Sequence, residues 1–161
     1  MKYMQLNVSL IALLFFLSVG CTGIYEDGNE LADGLRSEIH EIGVDSLKSM
    51  IDNGAEFLLL DVRQPDEKEA GNIPGSVSIP RGVLEFQIFD DSFWEEQFMY
   101  TPEKEDQIIV YCQSGVRGVL AAHTLKQLGF KNVANLKGGW IAFSGGEPAI
   151  EKEADSGGCG G

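Results

Sequence analysis

The residue with the richest chemistry in this chain is Cys112, because of what stands on either side of it. Before it runs Ile108-Ile109-Val110-Tyr111, four uncharged β-formers that predict a strand buried on both faces. From Arg117 the pattern becomes a helical stripe of Leu120, Ala121, Thr124, Leu125 and Leu128, with Gly129 as its expected stop. The thiol is thus placed in a tight turn where a strand hands over to a helix. The backbone N–H groups of Gln113, Ser114, Gly115, Val116 and Arg117 lack intrahelical acceptors there, and the helix dipole is positive at that end. An anion on the Cys112 sulfur, or one bound beside it, is therefore stabilised. Gly115 lets the loop turn inward, and Arg117 adds a fixed positive charge. These are the requirements of a nucleophilic thiolate.

A second apolar run, Phe57 to Val62, reads as another central parallel strand. Asp61 and Arg63 stand at its carboxyl end. In open α/β sheets the ligand crevice lies at the carboxyl ends of the strands, so this pair and Cys112 are expected on one rim. Two roles stay open for Arg63, an anion-binding one and a surface ion pair with Asp66 or Glu67. Around these strands the pattern predicts a first strand over Ile39 to Val44 and a short helix capped by Asp45 that runs to Asn53. It also predicts a helical turn over Pro65 to Glu69, a last strand over Val133 to Leu136, and a closing amphipathic turn with Trp140, Ile141 and Phe143. The aromatic residues between 81 and 100 are expected to form the packed face of two short helices rather than a substrate groove.

The spacing Cys112-x-x-Gly115-x-Arg117 resembles the active-site loop of single-domain rhodaneses. Two further segments match in order. Leu60-Asp61-Val62-Arg63, Glu67, Ala70-Gly71-Asn72-Ile73-Pro74-Gly75-Ser76 and Ile79-Pro80 are similar to the family's DVR and GHIPGA signatures. Val133 to Leu136 and Lys137-Gly138-Gly139-Trp140 resemble its last strand and glycine turn. The resemblance covers residues 38–150 and departs at Asn72, where the family most often has His. It implies a three-layer α/β/α fold with a central, mostly parallel sheet. It also implies a sulfurtransferase that carries sulfane sulfur as a Cys112 persulfide, from a donor such as thiosulfate to a thiol or cyanide. Asp61 is then mostly structural, Arg63 lies near the mouth, and no metal or other cofactor is expected. Two alternatives have distinct signatures. Phosphatases and arsenate reductases of the same fold use a Cys-x5-Arg loop round a tetrahedral oxyanion, one residue longer than Cys112 to Arg117. A non-catalytic binding or sensing module would have no need of the intact loop.

Outside that span the chain reads differently. Residues 1–20 have one charge, Lys2, an apolar run from Val8 to Leu17 and small residues before Cys21, the pattern of an export signal. Leu17-Ser18-Val19-Gly20-Cys21 resembles a bacterial lipobox, so lipidation at Cys21 and an exported, membrane-anchored chain facing the periplasm or the cell surface are expected. Residues 21–37 are polar and Gly-rich and are expected to be a flexible tether; residues 151–161 are expected to be a flexible tail, whose Cys159 is a candidate second thiol. A net charge of −13 argues against nucleic acid as a partner and against direct binding to an anionic membrane surface, leaving the N-terminal lipid as the expected link to the membrane. His40 and His123 have no ligand-spaced neighbours that would suggest a metal.

Overall fold

A computed structural model of the chain describes residues 23–146. The expectations at Cys21 and Cys159 lie outside that range. Five strands form one sheet: β1 (His40–Ile42), β2 (Leu58–Asp61), β3 (Val77–Ser78), β4 (Gln107–Tyr111) and β5 (Asn132–Leu136). Their order is β1-β5-β4-β2-β3, and every pairing is parallel. Strands β4 and β2 are central, which is why both read as continuous apolar runs: each must bury two faces.

The alternation of side chains sends those faces into two cores. Leu58, Leu60, Val62, Ile108, Val110 and Cys112 point to one. There they meet α1 (Gly28–Leu35) through Ala32, α4 (Leu84–Gln87) through Leu84, α5 (Asp91–Glu96) through Trp94, and α6 (Val116–Gln127) through Val119, Ala122 and Leu125. Leu59, Ile109 and Tyr111 point to the other, against α2 (Val44–Asp52), Ile73 and α7 (Gly139–Ser144). The short helix α3 (Pro65–Glu69) completes the chain between β2 and β3 and buries none of its residues. The result is the three-layer α/β/α architecture with helices on both faces.

Several local expectations need correction. Residues 28–35, within the expected tether, form a helix because Asp27 caps it, accepting from the N–H groups of Asn29 and Glu30, and because Ala32 is small enough to be fully buried. Helix α1 then packs against α6. Gly43, not Asp45, precedes α2, whose first turn holds Asp45 without a side-chain cap. In the 81–100 segment only part of the aromatic set is packed. Trp94 is buried with its indole N–H on the Ile88 carbonyl, whereas Phe86 and Phe98 project into solvent.

Replacing Ala32 with Asp should reduce the unfolding free energy of the full chain by about 2–4 kcal/mol, because the new charge has no partner at a buried site. Urea titration measures this, and a loss below about 0.5 kcal/mol would return the segment to the status of a tether.

Candidate functional site

The carboxyl ends of β2 and β4 meet in register, with Asp61 opposite Tyr111, so Asp61, Arg63 and Cys112 come together as their strands require. Cys112 is the residue after β4, and its sulfur is fully buried. Of the loop amides expected to face that sulfur, Gly115 N–H donates to Sγ at 3.1 Å. Gly115 has φ 92° and caps α6, and a Cβ there would lie 3.0 Å from the Gly138 nitrogen. Both the turn and the contact demand glycine. The Gly138–Gly139 turn closes on the loop from the other side. Trp140 and Ile141 N–H groups donate to the Cys112 and Gln113 carbonyls at 2.8 and 3.1 Å, and a Cβ on Gly139 would be 2.2 Å from the Cys112 oxygen. The loop is therefore gripped by α7 as well as by its own helix. Ser114 is exposed, while Gln113 and Val116 are half-buried.

Arg63 takes neither of the roles left open for it. It is completely buried, and its five N–H groups are all used. Nε and Nη2 bind the Asp61 carboxylate, Nη2 also reaches the Gly71 carbonyl, and Nη1 donates to the Glu67 carbonyl and to Gln113 Oε1. Its guanidinium lies over the Trp140 and Tyr111 rings, 5.1 and 5.5 Å from their centroids. Burial opposes its charge, yet the Asp61 carboxylate more than offsets this and holds its pKa above the ordinary value. Asp61 also accepts from the Arg63 backbone N–H and from the Tyr111 hydroxyl, at 3.0 and 2.8 Å. Tyr111 Oη in turn contacts Ser76 Oγ and accepts from Ile73 N–H, and burial pushes its phenol up to about 12. Beside them Asn72 donates to the Ile73 carbonyl and Ser76 Oγ, so a side-chain link survives at the position where histidine was expected.

Arg117 is not a free charge either. Its two terminal nitrogens bind the two Glu67 oxygens at 2.7 and 2.6 Å in a bidentate pair. This pair holds Glu67 below its usual pKa and raises Arg117, which also feels the nearby Cys112 sulfur. Glu67 is fixed in turn by its own backbone position, since Oε2 accepts from Gln64 N–H in a capping box. Asn135 is a further residue missed from sequence: buried on β5, it donates to the Gly115 carbonyl at 3.1 Å and to Glu41 at 2.8 Å. Neither partner was signalled by local pattern, because each contact spans a large sequence distance. Among the described residues no group of three or more His, Cys, Asp or Glu stands at metal-binding distance. His123 lies near Glu38, 3.8 Å away.

Residues 43–145 match the family described as Rhodanese-like domain. The chain belongs to the rhodanese-like family. The chain spans about three fifths of the length of the first curated relatives it matches. The chain is 38% identical, over 89 residues, to a mitochondrial Schizosaccharomyces pombe protein provisionally named a thiosulfate sulfurtransferase, with 54% of this chain and 63% of that protein covered. Among solved structures, a human single-domain sulfurtransferase matches at 29% identity and a TM-score of 0.60, covering 66% of this chain and 96% of its own. A Rhodopseudomonas palustris protein of unknown function, described as a possible tyrosine phosphatase, matches at 30% identity and a TM-score of 0.63, covering 80% and 98%. This rhodanese-like domain spans the glycine-gripped loop and the Asp61–Arg63 lock, but begins after α1 and β1.

Substituting Arg63 with Lys should cost about 3–5 kcal/mol in urea unfolding, since a buried carboxylate and two carbonyls lose partners that an ammonium cannot replace. The Glu67–Arg117 pair predicts a pH effect. Its full contribution is present above the unfolded-state glutamate pKa of about 4.3 and is lost as pH falls through the lower folded value. Glu67→Gln should therefore flatten the decline of the urea midpoint below about pH 4.3; an unchanged slope would show that the pair contributes nothing.

Proposed function

We propose that the chain moves sulfane sulfur from a donor such as thiosulfate to a thiol or cyanide acceptor through a persulfide on Cys112. The observation that carries this reading is the Cys112 sulfur held by Gly115 N–H at the start of the 12-residue helix α6. The helix terminus and the loop amide favour negative charge on that sulfur, whether on the thiolate or on the outer sulfur of a persulfide. The thiolate attacks the sulfane sulfur, a new S–S bond forms, and sulfite leaves with the electron pair. The acceptor then takes the outer sulfur and regenerates the thiolate. In this reading Gln113 to Arg117 cradle the anion, while Asp61 and Arg63 act as supports.

The phosphatase-like alternative draws on the description of the Rhodopseudomonas palustris structure. Against it stand the four residues between Cys112 and Arg117 and the capture of Arg117 by Glu67, which together leave a small cradle with little free positive charge for phosphate. We infer in addition that the chain is exported and lipid-anchored at Cys21. This rests on the apolar run and the lipobox-like residues before it. With α1 folded, the reach from Cys21 to Gly28 is short, about 25 Å when fully extended, so an anchored domain would stay close to the membrane surface.

Reduced full-length protein incubated with excess thiosulfate should gain about 32 mass units at Cys112, lose them to cyanide, and show no gain in Cys112→Ser, as expected of a sulfur-loaded thiolate. No gain from thiosulfate or from a small persulfide would sink the persulfide reading. Protection of Cys112 from alkylation by vanadate would then favour oxyanion processing.

A further inference from the structure

We propose that Asn135 is a positioning residue for Cys112: held by Glu41 and Arg36, it fixes the Gly115 peptide that serves the sulfur. This rests on the reading of Cys112 as the nucleophile of sulfur transfer and adds to it what aims the loop. Asn135 is fully buried on β5, in register with Glu41 of β1. Its Nδ2 donates to the Gly115 carbonyl at 3.1 Å and to Glu41 Oε1 at 2.8 Å. Both partners are acceptors, which fixes the orientation of the amide. The other end of that amide is unfavourable. Oδ1 is buried and finds no donor among the described residues, and an unmet acceptor in the interior opposes folding. It faces Gly118, the third residue of α6, where a Cβ would collide with it. Glycine inside a helix is itself unfavourable relative to alanine. An apolar side chain on β5 with alanine on α6 would avoid both penalties, so packing alone does not account for this pair.

What Asn135 secures is one residue of the loop. Gly115 precedes α6 with φ 92°, has no side chain to restrict its backbone, and donates its N–H to Cys112 Sγ at 3.1 Å. Its carbonyl accepts from Val119 N–H at 3.2 Å, the opening bond of α6. Asn135 brings a second donor to the same oxygen from the sheet, so Gly115 is held across the helix as well as along it. The direction of the Gly115 N–H, and with it the support for charge on sulfur, then depends on β5 and not on α6 alone. Glu41 is fixed in turn, since Arg36 Nη1 donates to its Oε1 at 2.8 Å. Arg36 and Glu41 both lie before residue 43, where the family match begins.

The test is the pH dependence of Cys112 alkylation in the reduced full chain, with the modified peptide identified by mass so that Cys21 and Cys159 do not contribute. Iodoacetamide reacts with the thiolate, so the rate at about pH 6 divided by the rate on the high-pH plateau measures how well charge on sulfur is supported. Asn135→Ala and Glu41→Ala should each lower this ratio about fivefold, as expected when one hydrogen bond to a charged group is weakened. Glu41→Gln keeps an oxygen for Asn135 and should hold the ratio within about twofold of the wild type. The charged neighbours of the loop, Arg117 with Glu67 and Arg63 with Asp61, are the same in every variant. Lys126→Met controls for general loosening: Lys126 Nζ donates to the Glu38 carbonyl at 2.6 Å, tying the same N-terminal segment to α6 outside the polar chain. It should leave the ratio at the wild-type value. Should Asn135→Ala fail to fold, Glu41→Ala decides alone. An unchanged ratio in Glu41→Ala or in folded Asn135→Ala would overturn the proposal. So would an equal fall in Glu41→Gln or Lys126→Met, or a loss of rate that is the same at every pH. Thiosulfate loading of the wild type is followed in parallel by intact mass; its failure would sink sulfur transfer, while the alkylation ratio would still decide the role of Asn135.

Discussion

A fully buried guanidinium is the constraint on which the rest of this site depends. Removing Arg63 from water is costly, and only complete hydrogen bonding recovers the loss. The structure meets that requirement by drawing in groups from five places: the Asp61 carboxylate at the end of β2, the Glu67 carbonyl in α3, the Gly71 carbonyl after it, the Gln113 side chain in the loop, and the Trp140 ring on α7. Of these segments, α3 buries none of its own residues. Their relative positions follow from the geometry of one planar fork, which tolerates less displacement than an apolar contact would. Tyr111 extends the same network, since Asp61 Oδ2 is shared between Arg63 and the phenol.

The loop itself is held from a second direction. Asn135 carries the position of Gly115 back to β1 through Glu41, and Glu41 accepts in turn from Arg36 at 2.8 Å. Arg36 and Glu41 precede the residues matched by the family description, which begin at 43. The N-terminal segment is thus linked, through three polar side chains, to the carbonyl that starts the Cys112 helix. This gives α1 and β1 a bearing on the site that their position at the edge of the fold would not suggest.

Much of this was legible in the chain because the relevant signals are local. Two central strands announced themselves by apolar runs, α3 as a helical turn over Pro65 to Glu69, and the loop by Cys112, Gly115 and Arg117 in order. What could not be read was which charges meet. Asp61 and Arg63 are two residues apart, so their proximity was evident, but the burial that turns Arg63 from a binding group into a support depends on Trp140 and Gly71 closing over it. Glu67 and Arg117 are separated by 50 positions, and their pairing follows only from strand order. Helix α1 was hidden for a different reason. Its composition is that of a linker, yet buried Ala32, Leu35 packed beside it and an aspartate cap go with its docking against α6.

The pairing of charges has a consequence for how a thiol can be activated here. A nearby full positive charge would stabilise thiolate, bound oxyanion and departing sulfite alike, each in proportion to its charge. Partial charges at a helix terminus act over a shorter range and are aimed by the backbone at one atom. With Arg117 committed to Glu67, the support aimed directly at Cys112 comes from Gly115 N–H and the end of α6. Such a site favours charge on the Cys112 sulfur itself. Glu67, which stands within the segment that resembles the family's DVR signature, is the neighbour that holds Arg117.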